Sequence, residues 1–156
     1  GVYPQGKLQL YKVKFVDGRT LDVCKEHLWT INSGSVGRVT VSTETMSEYL
    51  LSQDHMVNNI SIDLIEPMDS VDKEFYMSPL MYGMEIGDIH NADYPSRSFL
   101  DGSKEQRTDL LLGLLSGNNS IVRKGYLIFR THSKQKSDYV VELVRGLGGL
   151  CSSVKI

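Results

Sequence analysis

"DLLLGLLSGNNS", residues 109–120, begins as a leucine-rich helix, carries Gly113 and Gly117 four apart, and stops on Asn118 and Asn119. A glycine inside a helix costs about 1 kcal/mol relative to alanine. A helix that had only to bury a hydrophobic face would not carry two. A second segment repeats the pattern: "PLMYGMEIGDI", residues 79–89, sets Gly83 against Gly113, Gly87 against Gly117 and Asp88 against Asn118. Small residues at this spacing let two helix backbones approach closely. That recovers the propensity cost only when the helices pack on each other there.

Downstream of this helix, "SIVRKGYLIFRT" reads as a hairpin turning at Lys124-Gly125. Ser133 caps a last helix, "KQKSDYVVELVRGLGG", with Tyr139, Leu143 and Leu147 on one face and Gly148 as its stop signal. "LCSSVKI" is expected to form a closing strand. Upstream, Ser103 with Gln106 forms a capping box that opens the leucine-rich helix, which should run to about Ser116. Residues 90–102, with Pro95, read as irregular.

The first third is β. Leu10–Val16 and Thr20–Cys24 flank Asp17-Gly18, which predicts a two-residue type I′ hairpin. A strand at Leu28–Ile31 is followed by the loop "NSGSVG" and the strand "RVTVS". "STETMSEYLLSQ" predicts a helix capped by Ser42 or Thr43, with Met46, Tyr49 and Leu50 on one face. "NNISIDLIEP" alternates as a strand, and residues 68–76 form an acidic surface connection. The fold class is therefore α+β, with a small antiparallel β part over residues 1–66 and a helix–hairpin–helix–strand part over residues 77–156.

Composition bounds the function. With 156 residues, 40% hydrophobic and 23% charged, the chain has the make-up of a globular protein. No apolar run approaches the roughly 18 residues a membrane span needs. Gly1 in place of an initiator Met suggests a processed start. Cys24 and Cys151 lack zinc-type partners and read as reduced thiols. The net charge of −2 is asymmetric: residues 1–100 carry −6 and residues 101–156 carry +4. The basic C-terminal third admits nucleic acid, and the acidic first two thirds admit a basic protein partner. No phosphate-cradling Gly-rich loop with Lys, no H-E-x-x-H and no paired C-x-x-C is present. His27, His55, His90 and His132 are scattered without ligand spacing, and His90, two residues after Asp88, is the one nearest a candidate site.

Paired helices with close-packed small residues, ending on an acid, resemble the LAGLIDADG homing endonucleases. In that family the two helices join pseudo-symmetric halves, and their terminal carboxylates bind divalent metal. The order helix, hairpin, helix ending in Leu-Gly-Gly, strand is similar to the second half of such an enzyme as carried inside inteins. "GVYPQGKLQLYKVKFVDGRTLDVCKEHLWTI" resembles the interior of an intein splicing (Hint) domain. There a Thr-x-x-His motif serves the first acyl shift, and Cys24-Lys25-Glu26-His27 occupies its place. His27 would carry the splicing histidine; otherwise it is a strand histidine packed beside Trp29, the reading the residues favour.

The chain departs from the pattern where chemistry is concerned. Metal-dependent phosphodiester hydrolysis needs carboxylates to hold Mg²⁺ and to stabilise the attacking and leaving oxygens. Asp88 is retained, but Asn118 stands where the second acid should be, Asn119 replaces a glycine and Ser116 a common acid. Gly83 and Gly113 are only 30 residues apart, too few to hold a full half-domain between the helices. Splicing would need Cys or Ser first and His-Asn last, whereas this sequence runs from Gly1 to "SSVKI". The resemblance thus implies a non-splicing module without nuclease activity or a cofactor, kept for a structural or binding role in a phage-type context, cytoplasmic in the host or virion-associated, and not at a membrane. Its partners would be a protein, an oligomeric copy, or DNA held weakly by Arg123, Lys124, Arg130, Lys134 and Lys136. The alternative is a nuclease that dimerises to complete its site, using Asp88 and Glu85 with Mg²⁺; three residues apart, both reach one side of the helix end.

Overall fold

The computed structural model describes residues 3, 4, 6–34, 36–51, 60–88 and 95–154. His55, His90 and the end of the expected closing strand at residues 155 and 156 lie outside them. The chain is α+β and divides into two units, Gly1–Leu64 and Ile65–Ile156.

In the first unit, β1 (Leu10–Lys14) pairs antiparallel with β2 (Thr20–Cys24). β3 (Leu28–Ser33) lies between β4 (Gly37–Ser42) and the two-residue β5 (Ile60–Ser61). Alternation decides which side chains turn inward. On β3, Trp29, Ile31 and Ser33 are buried while Leu28 and Thr30 face out. Val23, Trp29, Ile31, Val41 and Met46 make the core, with Met46 supplied by α1 (Thr43–Leu51). Ser42 Oγ accepts from Thr45 N (3.1 Å), which makes it the cap of α1. Leu50, expected inward with Met46 and Tyr49, is exposed, since α1 buries only a narrow stripe on this small sheet.

Two details differ from the sequence reading. The β1–β2 turn is not type I′: only Gly18 has positive φ (87°), and Gly18 N donates to Phe15 O at 3.0 Å. The loop is a three-residue turn with a glycine bulge, so Asp17 needs no left-handed conformation. Of "NNISIDLIEP", only Ile60–Ser61 is a described strand; residues 62–67 form no helix or strand.

The second unit contains α2 (Pro79–Gly87), a 3-10 helix (Arg97–Asp101), α3 (Lys104–Ser116), the hairpin of β6 (Ser120–Arg123) and β7 (Tyr126–Phe129), and α4 (Lys134–Gly146). Its core joins Tyr82 and Ile86 of α2, Phe99, Leu110 and Leu114 of α3, and Tyr139, Val140 and Leu143 of α4. Local signals set the boundaries. Ser78 and Pro79 start α2, the Ser103–Gln106 capping box starts α3, Ser133 caps α4, and Gly148 (φ 78°) follows its end. The β6–β7 turn is the type I′ form, with Lys124 at φ 52° and Gly125 at φ 79°.

Of residues 90–102, which the sequence marks as irregular, 90–94 lie outside the described residues, and 97–101 form the 3-10 turn that carries Phe99 into the core. Phe99 stacks on Tyr82 (4.0 Å) and on Phe75 (4.3 Å), and Phe75 belongs to the acidic connection. The closing strand does not form over residues 150–154. That segment instead folds back along α4, where Arg145 donates to Cys151 O (3.0 Å) and the hydroxyls of Ser137 and Ser153 meet at 2.9 Å.

Tyr139 carries a pH dependence. It is buried, its hydroxyl donates to Ser96 O (3.1 Å), and burial pushes its phenol far above the usual tyrosine range. The folded state therefore keeps this proton while the unfolded chain releases it above about pH 10. Stability from Tyr139 is complete below that pH and falls by up to about 1.4 kcal/mol per further pH unit. Alkaline titration of urea unfolding should show this fall. Tyr139→Phe should flatten it, at a cost of about 1 kcal/mol at neutral pH for the lost hydrogen bond.

Candidate functional site at the ends of the paired helices

α2 and α3 meet at their glycines with no side chain between them. A Cβ on Gly113 would lie 2.1 Å from Leu80 O and 2.8 Å from Met84 N. A Cβ on Gly83 would lie 2.2 Å from Leu110 O and 2.9 Å from Leu114 N. Gly87 is nearly as close, 2.9 Å from Leu114 O, whereas at Gly117 the nearest atom is Gly87 O at 3.6 Å. Three of the four glycines are thus required by backbone contact. Gly117 is not.

The contact brings the C-terminal ends of the two helices together. Such an end presents unsatisfied carbonyls and the negative pole of the helix dipole. Here the carbonyls of α2 are met by two side chains. Asn119, buried just beyond α3, donates its amide to Gly87 O. Lys136, in the first turn of α4, donates its ammonium to Asp88 O at 3.1 Å. Both suit the negative pole: an amide donor costs little to bury when bonded, and a cation is stabilised by the dipole.

Lys136 is only 4% exposed. It is not one of the solvent-facing cations of the hairpin face, and its ammonium points into the helix end. The reason lies in the register of α4, where Lys136 sits three residues before Tyr139 and seven before Leu143, on the inward stripe.

Asn118 and the carboxyl-bearing Asp88 and Glu85 are exposed. Of the polar pair ending α3, it is therefore Asn119, not Asn118, that is built into the helix end. His27 lies in the other unit, just before β3 and exposed. Its imidazole sits edge-on to Trp29 with ring centroids 4.8 Å apart. Its backbone makes the structural bonds: His27 N donates to Cys24 O, and His27 O accepts from both Thr43 N (2.9 Å) and Thr43 Oγ1 (3.2 Å). Among the described residues no group of three or more His, Cys, Asp or Glu is placed to hold a metal ion.

The cations of the hairpin face divide by their partners. Lys134 is held by Asp138 one turn on, at 2.5 Å. Arg123, Lys124 and Arg130 are exposed and enter no ion pair among the described residues. Another buried cation was not foreseen. Arg107 of α3 is 6% exposed and donates through Nη1 to Gly146 O (3.0 Å), closing the end of α4, and through Nη2 to Met68 O. Its place on the stripe Arg107, Leu110, Leu114 was the available signal.

No helix among the described residues is long and apolar enough to cross a membrane. The chain matches no protein-family model, no curated protein and no solved structure in the comparisons made.

Proposed function

We propose that this chain is a binding module built on a LAGLIDADG-like helix pair, joined to a Hint-like β unit, that neither splices nor cleaves DNA. The observation that carries this reading is the glycine-to-glycine packing of α2 on α3, with Asn119 and Lys136 spent on capping the helix end. The helix pair serves the fold, so it survives without the acid that chemistry would need. Asn118 offers a neutral amide there, which cannot supply the negative charge a Mg²⁺ site requires. In the first unit, Cys24 stands in place of the threonine of the splicing motif and His27 binds through its backbone.

Arg123, Lys124 and Arg130 support sequence-independent contact with a nucleic-acid backbone. Three phosphate contacts give a log–log salt slope of about −2.7, hence about 40-fold weaker binding when salt rises fourfold. A gel-shift series tests this. Arg123→Ala with Arg130→Ala should reduce the slope to about −1, and retardation indifferent to salt or to these changes would sink the DNA role.

The exposed Glu85 and Asp88, on the last turn of α2, favour the second reading, a Mg²⁺-dependent nuclease completed by another copy. The same assay run on supercoiled plasmid separates the two readings.

A further inference from the structure

Two surfaces of the second unit carry unpaired charge of opposite sign, each interleaved with exposed apolar side chains. The first is the strap of residues 65–74, "IEPMDSVDKE", which forms no helix or strand. Its backbone is fixed: Gln106 brackets Lys73, accepting from Lys73 N (3.0 Å) and donating to Lys73 O (2.7 Å), while Arg107 holds Met68 O. Apart from the half-buried Pro67, its side chains are exposed. Ile65, Met68 and Val71 recur every third residue and are 73, 78 and 80% exposed. Between them stand Glu66, Asp69, Asp72 and Glu74, none in an ion pair among the described residues.

The second surface is the β6–β7 hairpin. Among the described residues it is a two-stranded sheet with neither edge paired, a form marginal in water by itself. Val122 and Tyr126 are 75 and 74% exposed, Leu127 is also open, and the only charges over residues 120–130 are Arg123, Lys124 and Arg130. Open strand edges beside apolar side chains are a template for a further extended segment.

One chain cannot seat its own strap on its own hairpin. The strap is tied at the first turn of α3, and the hairpin starts just past its last turn, with 13 helical residues, about 20 Å, between. We infer that a second copy of this chain is the occupant: the acidic strap of each copy lies along the basic hairpin of the other, in a reciprocal two-fold dimer. Charge complementarity selects this pairing over hairpin on hairpin, which would set Arg123, Lys124 and Arg130 against their like. The inference does not depend on the nuclease-relic reading, although nucleic acid on the hairpin would compete with it.

Analytical ultracentrifugation of the full chain tests it. The wild type should dimerise reversibly, less tightly in high salt. Arg123→Glu with Arg130→Glu, or Asp69→Lys with Asp72→Lys, should each weaken the dimer roughly tenfold or more. The milder Arg123→Ala with Arg130→Ala should act in the same direction. Mixing the two reversed variants should restore association as a heterodimer, because both contacts then pair opposite charges. A wild type that stays monomeric at every concentration overturns the inference. So does a dimer indifferent to the reversals, or reversed variants that stay apart on mixing while circular dichroism shows both folded. A hairpin that sediments with nucleic acid and never with a second copy overturns it in favour of that occupant.

Discussion

Gly113→Ala should destabilise the second unit by about 3 kcal/mol, although alanine is the better helix former. In a free helix the change would add about 1 kcal/mol of stability. Here the new methyl would meet Leu80 O at 2.1 Å and Met84 N at 2.8 Å, both backbone atoms that cannot rotate away. α2 and α3 must then separate, and the packing of Ile86, Leu110 and Leu114 loosens with them. Overpacking of this kind costs about 1–3 kcal/mol, and more where backbone is displaced. Gly117→Ala is the control. Its Cβ would lie 3.6 Å from the nearest atom at φ −78°, so stability should stay within about 0.5 kcal/mol of wild type. Urea unfolding of both variants decides the matter: a Gly113→Ala protein as stable as wild type, or more so, would mean the helices do not meet there.

Arg107→Ala should cost about 2–4 kcal/mol, larger than a surface arginine warrants. The guanidinium joins the last carbonyl of α4 to the Met68 carbonyl of the strap, and the dipole of α4 offsets the cost of burying its charge. Truncation removes the donor shared by both carbonyls and the buried guanidinium with it. Arg107→Lys should fall between, since one ammonium keeps the charge but cannot span two carbonyls as a planar fork does. If Arg107→Ala and Arg107→Lys unfold at the same urea concentration as wild type, Arg107 is not a tie. Hydrogen exchange should also show residues 66–74 losing protection in Arg107→Ala before the helices do.

How far the sequence discloses this fold depends on the range of each signal. The helix caps at Ser103 and Ser133 and the Lys124-Gly125 turn are local chemistry, and all are legible. The glycine repeat is legible for another reason: four glycines at matched spacing have no local purpose, so they point to a partner helix. What escapes the sequence is placed by distant contacts. The Asp17-Gly18 turn keeps its residues but changes its type, because Gly18 alone supplies the positive φ. Residues 150–154 have strand composition but lie along α4, where Arg145 and Ser137 hold them. Lys136 and Arg107 read as surface cations by type and as core positions by spacing, and spacing prevails because each finds a helix end to cap. The site is therefore half legible. Gly83, Gly87 and Asp88 are visible in advance, while the roles of Asn119 and Lys136 emerge only once α2, α3 and α4 are side by side.

The decisive measurement is supercoiled-plasmid nicking with Mg²⁺ or Mn²⁺, set beside an Asp88→Asn variant and a Glu85→Gln variant. A module that has kept the helix pair and given up the chemistry should leave the plasmid supercoiled in all three proteins, whether or not it retards the DNA. Nicking by the wild type that disappears in Asp88→Asn would contradict this account and make the chain a working nuclease.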